Sequence, residues 1–367
     1  MRTALGLALS SVLLACGREG DATSFGGMTQ SGVSTAPAES DESSVGSSTS
    51  GSAADSSSSS SSTSPTSSSS TSDGVKWDMG MPDFDPLQPA GCEGKIDFLF
   101  VISAEGTMKP FQERLIASFQ GFMDAIKLQL PDFDVHVISA NPNPGWKIGD
   151  CSVCTTDCDP QGIPPYCGAM LTGCDKMTGA GVTFPAGTAA TNRRCEIDDG
   201  RRYITSEQPT MDKAFGCIAQ LGVGGTGRSA QGMVAALQPE INDPDDEYAC
   251  NGGFLRDNAL LVVTLIQDGY DEDSLGTVDE WIEALRAAKH YDDDAFAVLV
   301  LTTDVDLGFD QLCLPEQSSQ TPNRLRTLAN GVEHGFVGSI CLPDYVDFFA
   351  EHVGVLVDLC DNFVPPG

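Results

Sequence analysis

The sequence is short of basic residues. It contains 20 Lys and Arg against 52 Asp and Glu, which gives a formal net charge of -32 at pH 7. A surface with this much negative charge repels phosphate backbones and anionic lipid head groups. Nucleic acid is therefore not an expected partner. Cations or basic protein surfaces are better candidates, although the charge is equally explained by solubility alone, for example in a salty habitat.

Motifs for catalysis or nucleotide binding are also missing. No G-x-S-x-G nucleophile motif occurs, and the glycine-rich stretch from Gly224 to Gly227 lacks the Lys that would complete a phosphate-binding loop. The four histidines do not have metal-ligand spacing and are expected to have structural or surface roles: His136, His290, His334 and His352. We therefore expect that the chain is not an enzyme.

No segment has the about 20 consecutive apolar residues that a membrane-spanning helix needs. Arg2 and the short apolar stretch over residues 4–14 are instead typical of a signal peptide over residues 1–15 that is removed on export. The stretch ends in Leu13-Leu14-Ala15-Cys16, which resembles the lipobox of bacterial lipoproteins. The resemblance implies lipidation of Cys16, where several acyl chains give a stable anchor. The alternative is an ordinary secretory signal that happens to contain a cysteine.

The residue after the cysteine bears on the destination. It is Gly17 rather than Asp, and in better-known lipoproteins this favours export to the outer membrane. We therefore expect a chain lipid-anchored to the outer membrane or cell surface of a Gram-negative bacterium.

Cysteine usage indicates the same oxidising compartment. Of the 13 cysteines, those beyond Cys16 form an even set, which allows complete pairing into disulfides. The candidates are Cys92, Cys151, Cys154, Cys158, Cys167, Cys174, Cys195, Cys217, Cys250, Cys313, Cys341 and Cys360. Their pairing cannot be read from the sequence.

Composition divides the chain at about residue 76. Residues 16–76 comprise the cysteine to be lipidated and a linker dominated by Ser, Thr, Gly and Ala. This segment has too little apolar surface to offset the entropy of ordering, so we expect a disordered spacer. As a flexible coil of about 60 residues, its ends would lie roughly 40 Å apart.

Residues 77–367 alternate between strand and helix patterns. Apolar runs over residues 96–102, 259–266 and 296–301 predict strands buried on both faces, and residues 133–137 predict a strand with one exposed face. Helical spacing between these runs, including a capping box formed by Thr277 and Glu280, predicts a doubly wound α/β domain with a mostly parallel sheet.

A cysteine-rich part interrupts the alternation at about residues 143–206. It contains turn signals and little periodicity, which favours a disulfide-stapled insertion. The run Cys151-x2-Cys154-x3-Cys158 also resembles a zinc or iron-sulfur ligand set, and Cys151 with Cys154 a redox pair. Export and the even cysteine count weigh against both alternatives.

Three segments fall where strands end, which is where ligands bind in such sheets. They are Ser103-Ala104-Glu105-Gly106-Thr107-Met108, Gly224-Gly225-Thr226-Gly227 and Gln267-Asp268-Gly269. In order, spacing and strand context they resemble the three motifs of von Willebrand factor type A (vWA) domains, over roughly residues 92–363. Similar lipoproteins, with serine-rich linkers, occur in myxobacteria and their relatives. The resemblance implies a Rossmann-like sheet carrying a metal-ion-dependent adhesion site for Mg²⁺ or Ca²⁺.

Two positions depart from the family pattern. Ser103 stands in place of the first Asp and Glu105 in place of the first Ser, whereas Thr107, Thr226 and Asp268 fit. In one interpretation the site is degenerate and metal-free. In the other, Glu105 replaces the missing carboxylate, fills the position that a partner's carboxylate normally takes, and makes any metal structural.

Two functions remain open at this level. The first is a surface-anchored lipoprotein whose vWA-like module binds another protein, or an envelope or extracellular component, in adhesion. The second is a structural envelope component without a discrete ligand. The acidic stretch of Asp268, Asp271, Glu272 and Asp273 is a solvated loop or a calcium-attracting site without EF-hand spacing, and its position slightly favours the first function.

Overall fold

The computed structural model describes residues 91–129, 133–143, 171–186, 188–191, 193–313 and 322–365. The predicted signal peptide, Cys16 and the linker lie outside these residues. So do Cys151, Cys154, Cys158 and Cys167, and with them the alternative metal and redox sites.

A six-stranded sheet forms the centre of the described part, in the order β3-β2-β1-β4-β5-β6. Only the pairing of β3 with β2 is antiparallel. The strands are β1 (Lys95–Ile102), β2 (Asp134–Ala140), β3 (Ile204–Thr205), β4 (Leu260–Gln267), β5 (Phe296–Thr302) and β6 (Gly335–Ser339). The predicted α/β class and mostly parallel sheet are confirmed.

Helices cover both faces of the sheet. They are α1 (Lys109–Gln129), α2 (Met211–Ala219), α3 (Ser229–Ala236), α4 (Pro239–Asn242), α5 (Val278–Ala288), α6 (Arg324–Asn330) and α7 (Val346–Asn362). On one face α1, α2 and α7 pack together, and on the other α3, α5 and α6 do. Within the part of the chain described here, no helix combines the length and apolarity needed to cross a membrane.

The central strands are buried because their sequences are apolar without interruption. Every residue of β4 and β5 is buried, as is all of β1 except Lys95. Aromatic side chains fill the α1 side, where Phe98 meets Phe122 edge to face with ring centroids 5.3 Å apart. The predicted cap of α5 is present, since Glu280 N donates to Thr277 Oγ1 (3.3 Å) and Thr277 N to Glu280 Oε2 (2.7 Å).

The strand predicted over residues 133–137 has one partly exposed face. Asp134 keeps a half-exposed side chain, whereas further along the same face Ile138 and Ala140 are completely buried. His136, on the same face, is mostly covered, because its ring packs 4.6 Å from that of Tyr203 and its Nδ1 lies 2.9 Å from Phe254 O. The covering residues come from distant parts of the chain that the local pattern could not reveal.

The described end of the cysteine-rich segment is built into the sheet. Residues 204 and 205 form β3, and Val182 N donates to Ser139 O at 2.8 Å. Its two described disulfides, Cys174–Cys250 and Cys195–Cys217, reach cysteines outside the segment rather than within it. The described residues of this end are therefore part of the α/β fold at the β3 edge of the sheet.

Two further disulfides join distant parts of the chain. Cys313–Cys341 links the segment after β5 to the second residue after β6. Cys92–Cys360 closes a separation of 268 residues and joins the start of the domain to the end of α7. All eight described cysteines are thus paired, as the even count predicts for them.

Candidate functional site

The site lies where β1 and β4 end side by side. Ile102 pairs with Ile266, and just beyond the strands Ser103 N donates to Ile266 O at 2.8 Å. The chain leaves β1 toward the α1 face and leaves β4 toward the α5 face, so the two loops diverge. Such a switch in direction opens a crevice beyond the carboxyl ends of the strands, which is where ligands bind in doubly wound sheets.

The predicted threonine loop joins the other two at this edge. Gly225 N donates to Ala104 O at 2.7 Å, which fixes the loop against the residues after β1. Within the loop, Thr226 Oγ1 accepts a hydrogen bond from Asn143 Nδ2 at 2.6 Å. All three segments predicted from the sequence are thus brought together.

Gln112, which the sequence analysis did not single out, ties these loops to each other. Its side-chain amide donates to Ser103 O (2.9 Å) and Gly222 O (3.0 Å), and its oxygen accepts from Gly222 N (3.0 Å). The signal was present in the sequence, because Gln112 falls on the buried stripe of α1 three residues before Leu115. A buried amide needs partners, and here they are backbone groups of two loops.

Glu105 and Asp268 form the chemical centre of the site. The two carboxyl groups are hydrogen-bonded, and Thr107 Oγ1 also donates to Asp268 Oδ2. Burial, the hydrogen bond to Asp268 and the charge of Asp268 together raise the pKa of Glu105 to about 8. Asp268 Oδ1 is buried and accepts no bond from any amide or hydroxyl of the described residues, so a proton on Glu105 supplies a donor that this pair otherwise lacks.

Two glycines make room for the Glu105 side chain. A Cβ on Gly227 would lie 2.6 Å from Glu105 Oε1 and would also collide with Gln267 Nε2, and one on Gly269 would lie 3.1 Å from Glu105 Oε2. The Gly227 backbone N–H faces the Glu105 carboxyl and opposes the rise in its pKa. The backbone on both sides therefore closes around this side chain, which occupies the middle of the site.

This donor set does not fit the ion that the vWA resemblance implies. Ser103 stands where the family pattern has its first carboxylate. It is completely buried, and its Oγ accepts a hydrogen bond from Glu105 N at 3.2 Å. The Thr107 hydroxyl and the Glu105 carboxyl are both bonded to Asp268, where ligands to a hard cation would point their oxygens at the ion instead. The described oxygens of these three side chains are thus directed at one another.

Asp271 has a structural role in the same loop. It is 1% exposed, and its carboxylate accepts from Ala230 N (2.9 Å) at the start of α3 and from Ser274 Oγ (2.7 Å). Negative charge suits this position because the first backbone N–H groups of a helix are unpaired and carry partial positive charge. The expectation of a solvated acidic loop therefore fails at Asp271, whereas Glu272 and Asp273 are exposed.

The loops open into a cleft of about 530 Å³. Its polar end is formed by Glu105, Thr107 and Asp268. Its apolar wall comprises Pro110, Phe111, Val305, Leu312, Ile340 and the Cys313–Cys341 disulfide. Arg114 also lines the cleft, with its Nη1 donating to Ile340 O (3.2 Å) and Leu342 O (3.1 Å). An acidic end and an apolar wall thus share one opening.

The structure groups three possible metal ligands elsewhere, at the opposite edge of the sheet. Asp294, Glu333 and His334 have ligand atoms within 4.8 Å of one another, and His334 Nε2 lies 2.9 Å from Asp294 Oδ1. Sequence spacing missed this group because Asp294 precedes β5 and His334 precedes β6. The two acids are exposed, so an ordinary surface ion pair explains the arrangement.

The comparisons with known proteins assign no family. A scan against models of protein families found no match to this chain, and a search of curated proteins found none either.

Proposed function

We propose that this chain is a surface-anchored lipoprotein whose folded part is a vWA-like protein-binding module with a degenerate, metal-free adhesion site. The cleft at the ends of β1 and β4 carries the proposal, because it brings Glu105, Thr107 and Asp268 together at the ligand-binding edge of the fold. The predicted anchor at Cys16 would hold this module at the outer membrane or cell surface, where partners are accessible. Another protein, or an envelope or extracellular component, is the expected partner.

Three observations support a binding role over catalysis. The cleft is open rather than a closed chamber that excludes water, and its walls are mostly apolar. His136, which is mostly covered, lies on β2, outside the residues that line the cleft. The two acids of the cleft are paired with each other, and none of the described residues that line the cleft is a histidine that could act as a base.

Capture from envelope extract tests the binding role. The full chain, crosslinked in native envelope, should yield a discrete partner whose crosslinks map to the cleft, and Asp268→Ala should reduce its recovery. The control is Asp245→Ala, which removes one exposed acid far along the chain from the cleft loops. Crosslinks spread over cell-wall material without a discrete partner would support the structural envelope component instead.

Calorimetric titration tests the state of the site. The full chain titrated with Mg²⁺, Mn²⁺ and Ca²⁺ should show no micromolar binding. Micromolar binding that Glu105→Ala abolishes would establish the opposite interpretation, in which Glu105 is itself a ligand of a structural metal.

A further inference from the structure

We infer that the cleft accepts one basic side chain of a protein partner, lysine or arginine, with its charged end at Glu105 and Asp268 and its methylene stem along the apolar wall. This inference rests on the proposed binding function and specifies the chemistry of the partner. It concerns a different ligand from the acidic residue that the vWA resemblance implies, because the charges at this site differ from the family pattern.

The acidic end of the cleft is short of hydrogen-bond donors. Two carboxyl groups offer four oxygens, and of the described residues the Thr107 hydroxyl donates to one of them while the Gly227 N–H faces Glu105. A lysine ammonium brings three donors and an arginine guanidinium five, and hydrogen bonds between charged groups are about twice as strong as neutral ones. A partner cation would therefore supply donors that these oxygens lack.

The charge balance points to a cation rather than an anion. In a metal-based site the ion lies between acids of the protein and an acid of the partner. Here Glu105 supplies the second acid from within the chain and is hydrogen-bonded to Asp268, so an incoming carboxylate would meet two acidic groups. Asp271 adds to the negative field at Glu105. The net charge of -32 also attracts basic partners to the surface of the protein.

The shape of the cleft suits a side chain with an apolar stem and a charged end. Lys and Arg characteristically lay their methylene groups along apolar surface while the head group reaches a polar site. Leu312 is 56% exposed, so it offers such surface at the opening. Arg114 does not fill the role of the cation, because its guanidinium is directed at the carbonyl oxygens of Ile340 and Leu342.

Binding of blocked amino acids to the full chain tests the inference. The probes are the Nα-acetyl methylamides of lysine, arginine, norleucine and glutamate, followed by saturation-transfer NMR at physiological salt. Lysine and arginine should bind with millimolar affinity, at least about tenfold tighter than norleucine, which has the stem without the charge. Glutamate should not bind. Equal affinity for norleucine and lysine, or no binding of lysine and arginine, would overturn the inference.

Variants locate the binding. Asp268→Asn and Glu105→Gln should each weaken lysine binding at least about tenfold. Asp245→Asn and Glu247→Gln make the same changes of charge at exposed positions outside the cleft and should leave binding unchanged. Leu312→Lys, at a position exposed enough to tolerate the change, should block the cleft with a competing cation. Equal losses in the control variants would show nonspecific attraction and refute the site.

Two outcomes separate this inference from the proposed function. A captured partner that crosslinks to the cleft through acidic or apolar residues, with no lysine binding, would refute the inference and leave the binding role intact. Lysine binding with no partner recovered by envelope capture would support the inference about the cleft and count against the proposed binding role. Displacement of lysine by added Mg²⁺ in the wild-type chain would show a metal site and refute the inference.

Discussion

Arg256 holds the carboxylate of Asp97, which is completely buried at the start of β1. The backbone N of Arg256 donates to Asp97 Oδ2 at 2.7 Å and its Nε donates to Asp97 Oδ1 at 2.8 Å. Burial nevertheless raises the pKa of Asp97 to about 6, since it outweighs the charge of Arg256. The pair joins β1 to the segment that leads into β4, at the opposite edge of the sheet from the cleft.

Removing the arginine should be costly. Arg256→Ala leaves a buried charge with only one backbone donor, and we expect the free energy of unfolding to fall by about 3–5 kcal/mol. Arg286→Ala is the control, because Arg286 pairs with Asp293 at 2.8 Å with both side chains more than a third exposed, and solvent screens such a pair so that its loss costs little stability. Urea denaturation of both variants measures the difference, and equal losses would refute the role given to Asp97.

The pH dependence of stability should report on Glu105. Its pKa is raised from 4.5 to about 8 in the folded chain, so the folded state holds a proton that the unfolded state releases. The stabilisation of the folded state by this proton is fully present below about pH 4.5 and is lost as the pH rises through about 8. Above pH 7, Asp97 is already ionised because its pKa is about 6.

Glu105→Gln removes that titration. The melting temperature of the wild-type chain should therefore fall relative to that of the variant between about pH 7 and about pH 9. Parallel curves for the two chains over this range would contradict a protonated Glu105.

A side chain at Gly227 should disturb the site. Gly227→Ala places a Cβ 2.6 Å from Glu105 Oε1, so the end of the Glu105 side chain must move, at a cost of about 1 kcal/mol. Gly106→Ala is the matched control in a neighbouring loop, because no atom lies within 4 Å of its added Cβ. Chemical denaturation compares them, and a loss in Gly106→Ala as large as in Gly227→Ala would contradict the close packing around Glu105.

Lipidation at Cys16 can be tested independently of the fold. Cys16→Ser should abolish incorporation of labelled fatty acid and move the chain from the membrane fraction to the released fraction, because the acyl chains are the proposed anchor. Gly17→Asp should keep the fatty acid but change the membrane to which the chain is sorted. Membrane retention of Cys16→Ser without fatty acid would refute the anchor.

Sequence reasoning succeeded where the signal is local. The apolar runs of β1, β4 and β5 and the cap of α5 lie within single segments, so their periodicity and spacing suffice to predict them. Sequence reasoning did not predict burial that comes from remote segments. Ile138 and Ala140 are covered because Tyr203 and Phe254 pack over the same side of the sheet as β2, and no pattern within β2 indicates this.

Prediction of the site residues also succeeded for local signals and stopped at remote ones. Glu105, Thr107, Thr226 and Asp268 were predicted because each lies beside a strand end or in a glycine loop, and the structure brings all four to one edge. Gln112 and Asp271 were not assigned their roles, since these depend on backbone groups of Gly222 and Ala230 that fall far away in sequence. Asp97 is a single acid in an apolar run, and this break in the pattern could have predicted a buried, paired carboxylate.

The Cys92–Cys360 disulfide also determines how the domain would bear a mechanical load. With the proposed anchor, tension between membrane and partner enters the domain next to Cys92 and runs along β1, which is bonded to β2 on one side and β4 on the other. Such a pull acts in shear on both ladders at once instead of peeling them bond by bond. The disulfide passes part of the force directly to α7, so traction on the tether is shared across the fold before any strand can slide.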